Sequence, residues 1–195
     1  MFSMDGRRKK LNELYASYEE EVAEFKKAAV CTSGCAFCCT DVGNIDINTL
    51  EGIIIQERVS TLGEQAEEIN ARLVQNKRER EKGRHSRCPF LKEDSTCIIY
   101  DIRPFSCRQL YSVRLCISAP VVHRQAVEAA RQTVRKIQQL DMNGYSGHIS
   151  YILYLLAQKV IRNQYLLGKS DPGKIADFGK SHGILINRFA ASGRF

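Results

Sequence analysis

The sequence predicts a mainly α protein, a small helical bundle enclosing a cysteine-rich, loop-dominated region. Three observations carry this expectation. Apolar residues recur at spacings of three or four on both sides of the middle of the chain, the period of helices with one buried face. The stretch from 88 to 116 is broken by prolines and shows no such period. Eight cysteines fall in two runs, Cys31, Cys35, Cys38 and Cys39, then Cys88, Cys97, Cys107 and Cys116.

The segment from about Asp5 to Val30 carries Leu11, Leu14, Tyr15, Tyr18, Val22 and Phe25 with charges between them, and reads as an amphipathic helix. It leads into the first cysteine run, where Gly34 gives a tight loop its backbone freedom. Asp46-Ile-Asn-Thr-Leu-Glu51 offers capping residues ahead of a helix bearing Leu50, Ile53 and Ile54. Thr61-Leu-Gly-Glu64 has the form of a capping box and opens a helix to about Glu81. Few apolar residues besides Ile69 and Leu73 support it, so its second half is expected to be exposed. Residues 83–89 break the helical pattern, and 88–116 reads as loop with short extended pieces such as 97–100. Ser118-Ala-Pro120 marks the start of a helix that sets Val122, Ala126, Ala129, Val134, Ile137 and Leu140 along one side. Asn143-Gly144 punctuates a turn. Residues 146–167 are apolar around most of the circumference, as in the central helix of a bundle. From Gly168 the chain turns polar, and 192–195 reads as a frayed end. The organisation expected is one domain: an N-terminal helix (1–30), a cysteine-cluster region (31–116), a C-terminal helical pair packed on it (117–168) and a tail (169–195).

At 195 residues the chain can bury a core without covalent staples. An even number of cysteines permits a disulfide framework, but that pattern belongs to short exported chains. The sequence starts Met-Phe-Ser-Met-Asp-Gly-Arg-Arg-Lys-Lys and has no apolar leader core, and its longest apolar stretch, 151–157, is far short of a membrane span. A cytoplasmic protein with reduced thiols is therefore expected, and there such clusters signal metal. Net charge is +7, unevenly spread. Residues 72–87 hold seven Lys and Arg against Glu79 and Glu81, and from residue 120 onward eleven basic residues face four acidic ones. No aromatic-interleaved or groove-reading motif accompanies the charge, so a solvated helix face is expected rather than a nucleic-acid surface.

Soft metal centres need several thiolates within a few ångströms, and short spacings let one loop supply two or three of them. The first run has that spacing. The second run, with intervals of nine or ten residues, forms no local knuckle but can fold back to complete the coordination of the first. Adjacent side chains diverge, so Cys38 and Cys39 are expected not to share one mononuclear ion; one has another task or there is more than one metal. One tetrahedral site would use four of the eight cysteines, and two sites would use all of them. Zinc and an iron–sulfur cluster both take thiolates, and neither common ferredoxin spacing nor a paired zinc-ribbon pattern is present.

Cys31, Cys35 and the vicinal Cys38-Cys39, followed by Cys88-Pro-Phe-Leu, Cys97-Ile-Ile-Tyr100, Arg103-Pro104 and Cys107-Arg108, resemble the YkgJ-type CxxCxxCC cysteine-cluster family over roughly 31–116. One departure is visible: three residues, not two, separate Cys31 from Cys35. The resemblance implies a zinc- or iron-chelating centre in bacterial cytoplasmic proteins. A similar domain occurs in flagellin lysine N-methylases.

Around such a centre Arg103 and Arg108 are expected to offset thiolate charge and donate hydrogen bonds to sulfur, the alternative being a carboxylate partner such as Asp101. Pro89 and Pro104 fix loop geometry. Tyr100 reads as a core residue with a bonded hydroxyl. Of the histidines at 85, 123, 148 and 182, only His85 lies in sequence where it could join the ligands, and His148 reads as a packed or capping residue. Cys38 or Cys39 as a nucleophile has no histidine base in sequence.

Three functions follow. The leading one is a metal-binding protein holding an iron–sulfur cluster, or zinc, in redox, metal-handling or enzyme-support chemistry, with a protein partner. The second is a metal-dependent enzyme related to flagellin lysine N-methylase. The third is a structural zinc module whose basic 72–87 helix binds nucleic acid or an acidic partner.

Overall fold

The computed structural model describes residues 3–32, 34–42, 44–116, 123–124 and 126–192, with backbone alone for 41–42 and 123–124. The chain is mainly helical, as the apolar periodicity requires. Helix α1 (Met4–Glu21) is capped by Ser3, whose hydroxyl accepts from the Gly6 amide at 3.1 Å, and it buries Leu11, Tyr15 and Tyr18. The single helix expected to Val30 breaks at the buried Val22 and resumes as the one-turn α2 (Ala23–Lys26). That break turns Phe25 off the apolar face, and it lies 60% exposed.

Strand β1 (Asp46–Asn48) runs directly into α3 (Thr49–Ser60). Asn48 and Glu51 form the capping box: each side chain accepts from the other's amide, at 2.8 and 3.0 Å. Helix α4 (Gln65–Glu81) follows. The Thr61–Glu64 box does not form; Thr61 instead closes α3 by donating to the Arg58 carbonyl at 2.8 Å. The second half of α4 is less exposed than expected, because Asn76 is buried.

After a loop, α5 (Phe105–Arg108) and β2 (Tyr111–Ser112) pass to β3 (His123–Arg124), which pairs antiparallel with β2. The helix start expected at 118–120, with Val122, lies outside the described residues. Helix α6 (Val127–Leu140) buries Ala129, Ala130, Thr133 and Ile137, while Val134 sits on its open side. The segment expected as one helix over 146–167 is a strand and two helices. These are β4 (Tyr145–His148), α7 (Ile149–Ala157) and α8 (Lys159–Leu166), the helices separated by Gln158 in extended conformation.

The stretch expected as a tail folds back. Helix α9 (Ala176–His182) leads to β5 (Leu185–Ile186) and α10 (Asn187–Ala191), and the antiparallel order β1-β4-β5 closes a small sheet. Residues 193–195 lie outside the description. The segment is polar in composition but not unbound. Asn187 is fully buried and its amide donates to the Asp141 carbonyl (2.9 Å) and carboxylate (3.2 Å).

One core cluster joins Ile53, Ile55, Ile152, Leu156 and Phe90. Gly52 lets α3 and α7 meet there, since a Cβ would lie 2.6 Å from Leu156. A second cluster joins Leu11, Tyr18, Leu50, Phe105 and Ile137. Between them lies buried Asp141, which accepts from the Tyr165 hydroxyl (2.6 Å) and the Leu50 amide (3.1 Å), with Arg7 3.7 Å away. No helix among the described residues is long and apolar enough to cross a membrane.

Candidate metal centre

The first cysteine run is laid against β2. The Val30 amide donates to the Ser112 carbonyl at 2.9 Å, and the Ser112 amide donates to Cys31 Sγ at 3.3 Å. The chain then turns: the Cys35 amide reaches the Thr32 carbonyl at 3.0 Å, with Gly34 at φ +83°, a region that glycine alone enters freely. Cys38 and Cys39 open a π-helical turn, Cys38–Val42, of a kind frequent at functional sites.

The second run is brought to the first by three fasteners. The Cys88 amide donates to the Cys39 carbonyl at 2.8 Å. Asn76, on α4, donates to Ser86 Oγ (3.2 Å) and to the Arg87 carbonyl (3.0 Å), holding the loop that enters Cys88. Glu51, on α3, accepts from the Phe105 amide at 2.7 Å at the start of α5, two residues before Cys107. Phe90 is fully buried beneath the loop, and Cys97 pairs back with Leu91. Pro104 ends the approach to α5 in extended conformation.

All eight cysteines are free thiols, and all eight line one cavity of about 370 Å³. They fall into two groups. The first holds Cys38, Cys39, Cys88, Cys97 and Cys107, which interact electrostatically. These five are half-buried. In the other group Cys116 interacts electrostatically with Cys35 and Cys31, both of which are exposed. Cys38 and Cys39 each influence the other's ionisation, so both thiols belong to this group.

The electrostatics favour protonated thiols at Cys38, Cys39, Cys97 and Cys107. The Cys39 hydrogen bond pushes the Cys38 thiol well up, and burial adds to it. For Cys39 the bond from Cys38 pulls down, but the bond to Cys88 and burial carry it up to about 12. Burial raises Cys97, and raises Cys107 well above the ordinary thiol range. Arg103 lowers Cys38, Cys97 and Cys107, acting as the cation that faces this group.

Arg103 lines the cavity, its guanidinium 4.4 Å from the Tyr100 ring centre. Arg108 departs from its expected place. Its guanidinium lies 4.4 Å over the Tyr15 ring and donates to the Arg103 carbonyl at 2.9 Å, so it fastens α5 to α1 and does not line the thiol cavity. Asp101 pairs with Arg58. Tyr100 also departs: it is 61% exposed at the cavity wall, because the turn Tyr100–Ile102 directs Ile99 inward in its stead. His85 is exposed and does not line the cavity, since the loop turns it outward before Cys88. His148 caps α7, its ring nitrogen accepting from the Ser150 amide, and sits behind Cys38, Cys39 and Cys88. The side chain of His123 lies outside the description. Sequence reasoning missed three positioning residues. The capping residues of 46–51 gave no sign of Glu51's reach to Phe105, and no local signal marked Asn76 or Ser112.

Among the described residues, no three His, Cys, Asp or Glu side chains already surround a common point as metal ligands do. The donor set nevertheless fits zinc or iron: at least four soft thiols on one cavity, with a guanidinium beside them. Loading requires thiol rotation and loss of protons.

Comparison with curated proteins found no match, and neither did comparison with solved structures. The family model CxxCxxCC, described as "Putative zinc- or iron-chelating domain", matches residues 30–139, more than half of the chain. That span holds every thiol in the cavity, from Cys31 to Cys116, together with Glu51, Asn76 and Arg103, which position or face them. The chain belongs to the CxxCxxCC family of zinc- or iron-chelating domains.

Proposed function

We propose that this protein holds an iron–sulfur cluster through Cys38, Cys39, Cys88, Cys97 and Cys107, and serves redox, metal-handling or enzyme-support chemistry in the cytoplasm with a protein partner. The observation that carries this reading is the meeting of five half-buried thiols on a cavity of about 370 Å³. A single zinc ion draws four sulfurs to about 2.3 Å and does not need such a space. A cluster of several metal and sulfide ions uses more room and the same ligands. When bound, a cluster supplies one-electron chemistry. The chain's own residues hold it by thiolates, offset its negative charge through Arg103, and leave one side open past Tyr100.

The basic 72–87 segment gives less support to a nucleic-acid role. Arg72, Lys77, Lys82 and Arg84 pair with Glu68, Glu81 and Glu79 on or beside α4 itself.

Anaerobic purification with iron, sulfide and zinc analysis tests the proposal. Iron and acid-labile sulfide with visible charge-transfer absorption are expected, and Cys39→Ser and Cys107→Ser should lose them. A colourless protein with stoichiometric zinc overturns the cluster.

A further inference from the structure

We infer that a buried water sits in the narrow gap behind Cys38, Cys39 and Cys88, held by Asn76, and donates a hydrogen bond to a metal-bound sulfur. Asn76 is then a positioning residue for the centre, acting through that water. The inference deepens the reading above and rests on it, because it takes these thiols as ligands.

Three observations carry it. Asn76, Ser86 and His148 wall a gap of about 10 Å³ that Cys38, Cys39 and Cys88 also line. One water needs about that much room, and nothing larger fits. The side-chain oxygen of Asn76 is buried with no hydrogen-bond partner among the described residues. The other end of the same amide is fixed, because its nitrogen donates to Ser86 Oγ (3.2 Å) and to the Arg87 carbonyl (3.0 Å). His148 is engaged elsewhere through Nδ1, which lies 2.8 Å from Ser150 Oγ.

A buried acceptor left unpaired is costly, so the Asn76 oxygen calls for a donor. A neighbouring thiol could supply one in the metal-free chain. Once that thiol has given up its proton to bind metal, it has nothing left to donate. Water remains a donor in both states. In the gap it donates to Asn76 Oδ1 and to a thiolate sulfur, and it accepts from Ser86. The Ser86 oxygen already accepts from Asn76, which leaves its own hydrogen to give. Three hydrogen bonds are the usual number for a buried water. The bond to sulfur favours the charged form of the thiol, which loading requires. It also draws electron density from the sulfur, so Asn76 governs both metal affinity and how strongly that ligand donates.

The test uses the full chain loaded with zinc for crystallography and with cobalt(II) for spectroscopy. The crystal should show a water within hydrogen-bond distance of Asn76 Oδ1 and of the sulfur of Cys38, Cys39 or Cys88. Asn76→Leu keeps the bulk of the side chain but removes the acceptor. It should weaken cobalt binding about 10–100-fold and move the sulfur-to-cobalt charge-transfer band to longer wavelength. If Asn76 only braced the loop, the variant would lose occupancy while its bound fraction kept the wild-type band, and that result overturns the inference. Ser86→Ala removes one of the water's three bonds and should move the band the same way, by less. Should Asn76→Leu fail to fold, the wild-type crystal and the Ser86→Ala band decide. Metal on these sulfurs beside a dry gap overturns this inference alone. Metal held by other sulfurs overturns the ligand set proposed above, and this inference with it.

Discussion

Glu51 joins the core to the site through one carboxylate. It is 5% exposed, and it accepts from the Tyr15 hydroxyl (2.5 Å), the Phe105 amide (2.7 Å) and the Asn48 amide (3.0 Å). Burial raises its pKa, and the Phe105 amide is the largest opposing influence. Glutamine at this position keeps the shape but brings a second donor against amide donors that have no other acceptor here. The cost of one such buried mismatch is about 1–3 kcal/mol. Glu51→Gln should therefore lower the melting temperature and also reduce metal occupancy, because α5 carries Cys107. Tyr15→Phe removes one donor and leaves both amides satisfied, so it should keep metal content near wild type. Equal metal loss in both variants would show that Glu51 does not act through Phe105.

At the scale of elements, α4 supports the second cysteine run mainly through Asn76. Its side-chain amide holds Ser86 and the Arg87 carbonyl, and its own oxygen is buried without a partner among the described residues. Asn76→Ala should cost about 1–2 kcal/mol by denaturant unfolding. Amide exchange should accelerate over 84–89 while α4 itself keeps its protection; unchanged exchange there would deny Asn76 this role. Helices α1, α3 and α6 were legible because each carries apolar residues at helical spacing, and the capping residues of 46–51 announced the start of α3, whereas α4 was read from a Thr61–Glu64 box that does not form. Strands β4 and β5 were not, since Tyr145–His148 reads as the start of an apolar helix and only pairing with Asp46–Asn48 makes it a strand. The C-terminal helices were hidden for a related reason. What holds them is Asn187 on Asp141, a contact between polar residues that carries no periodic signature. At the site, the convergence of the two cysteine runs was legible from spacing, whereas Arg103 and Arg108 were expected alike and only Arg103 lines the cavity. The division of the thiols into two groups was not, because it depends on the turn at Gly34 and on Ser112, neither of which fixes a direction in sequence.

At the scale of the molecule, Asp141 ties four helices together and gives the fold a pH dependence. Burial raises its pKa from 3.8 to about 7, against the Tyr165 hydroxyl, the Leu50 amide and Arg7. Between those values the folded state keeps a proton that the unfolded chain has lost. Stability from this group is complete below about pH 4, falls by up to about 1.4 kcal/mol per pH unit as pH rises, and levels off above about pH 7. Glu51, also raised, adds a slope of the same sign. Urea unfolding of the metal-free protein from pH 5 to 8 should show this fall, and Asp141→Asn should flatten it; an equal slope in the variant would place the titration elsewhere. Metal acts on the whole molecule in the same way, by binding one state. The inner thiols come from positions 38, 39, 88, 97 and 107, and only the folded chain brings them together. A metal present at a thousand times its dissociation constant then adds about 4 kcal/mol to stability. The principal core cluster, however, is built from Ile53, Ile55, Ile152, Leu156 and their neighbours, with cysteines only at its margin. Chelation under reducing conditions should therefore lower the melting temperature without unfolding the chain. Proteolytic cleavage should appear first in 31–42 and 84–116, while α3 and α7 stay protected. If metal removal instead melts every helix at once, the centre is what holds the core together, and the core does not stand without it.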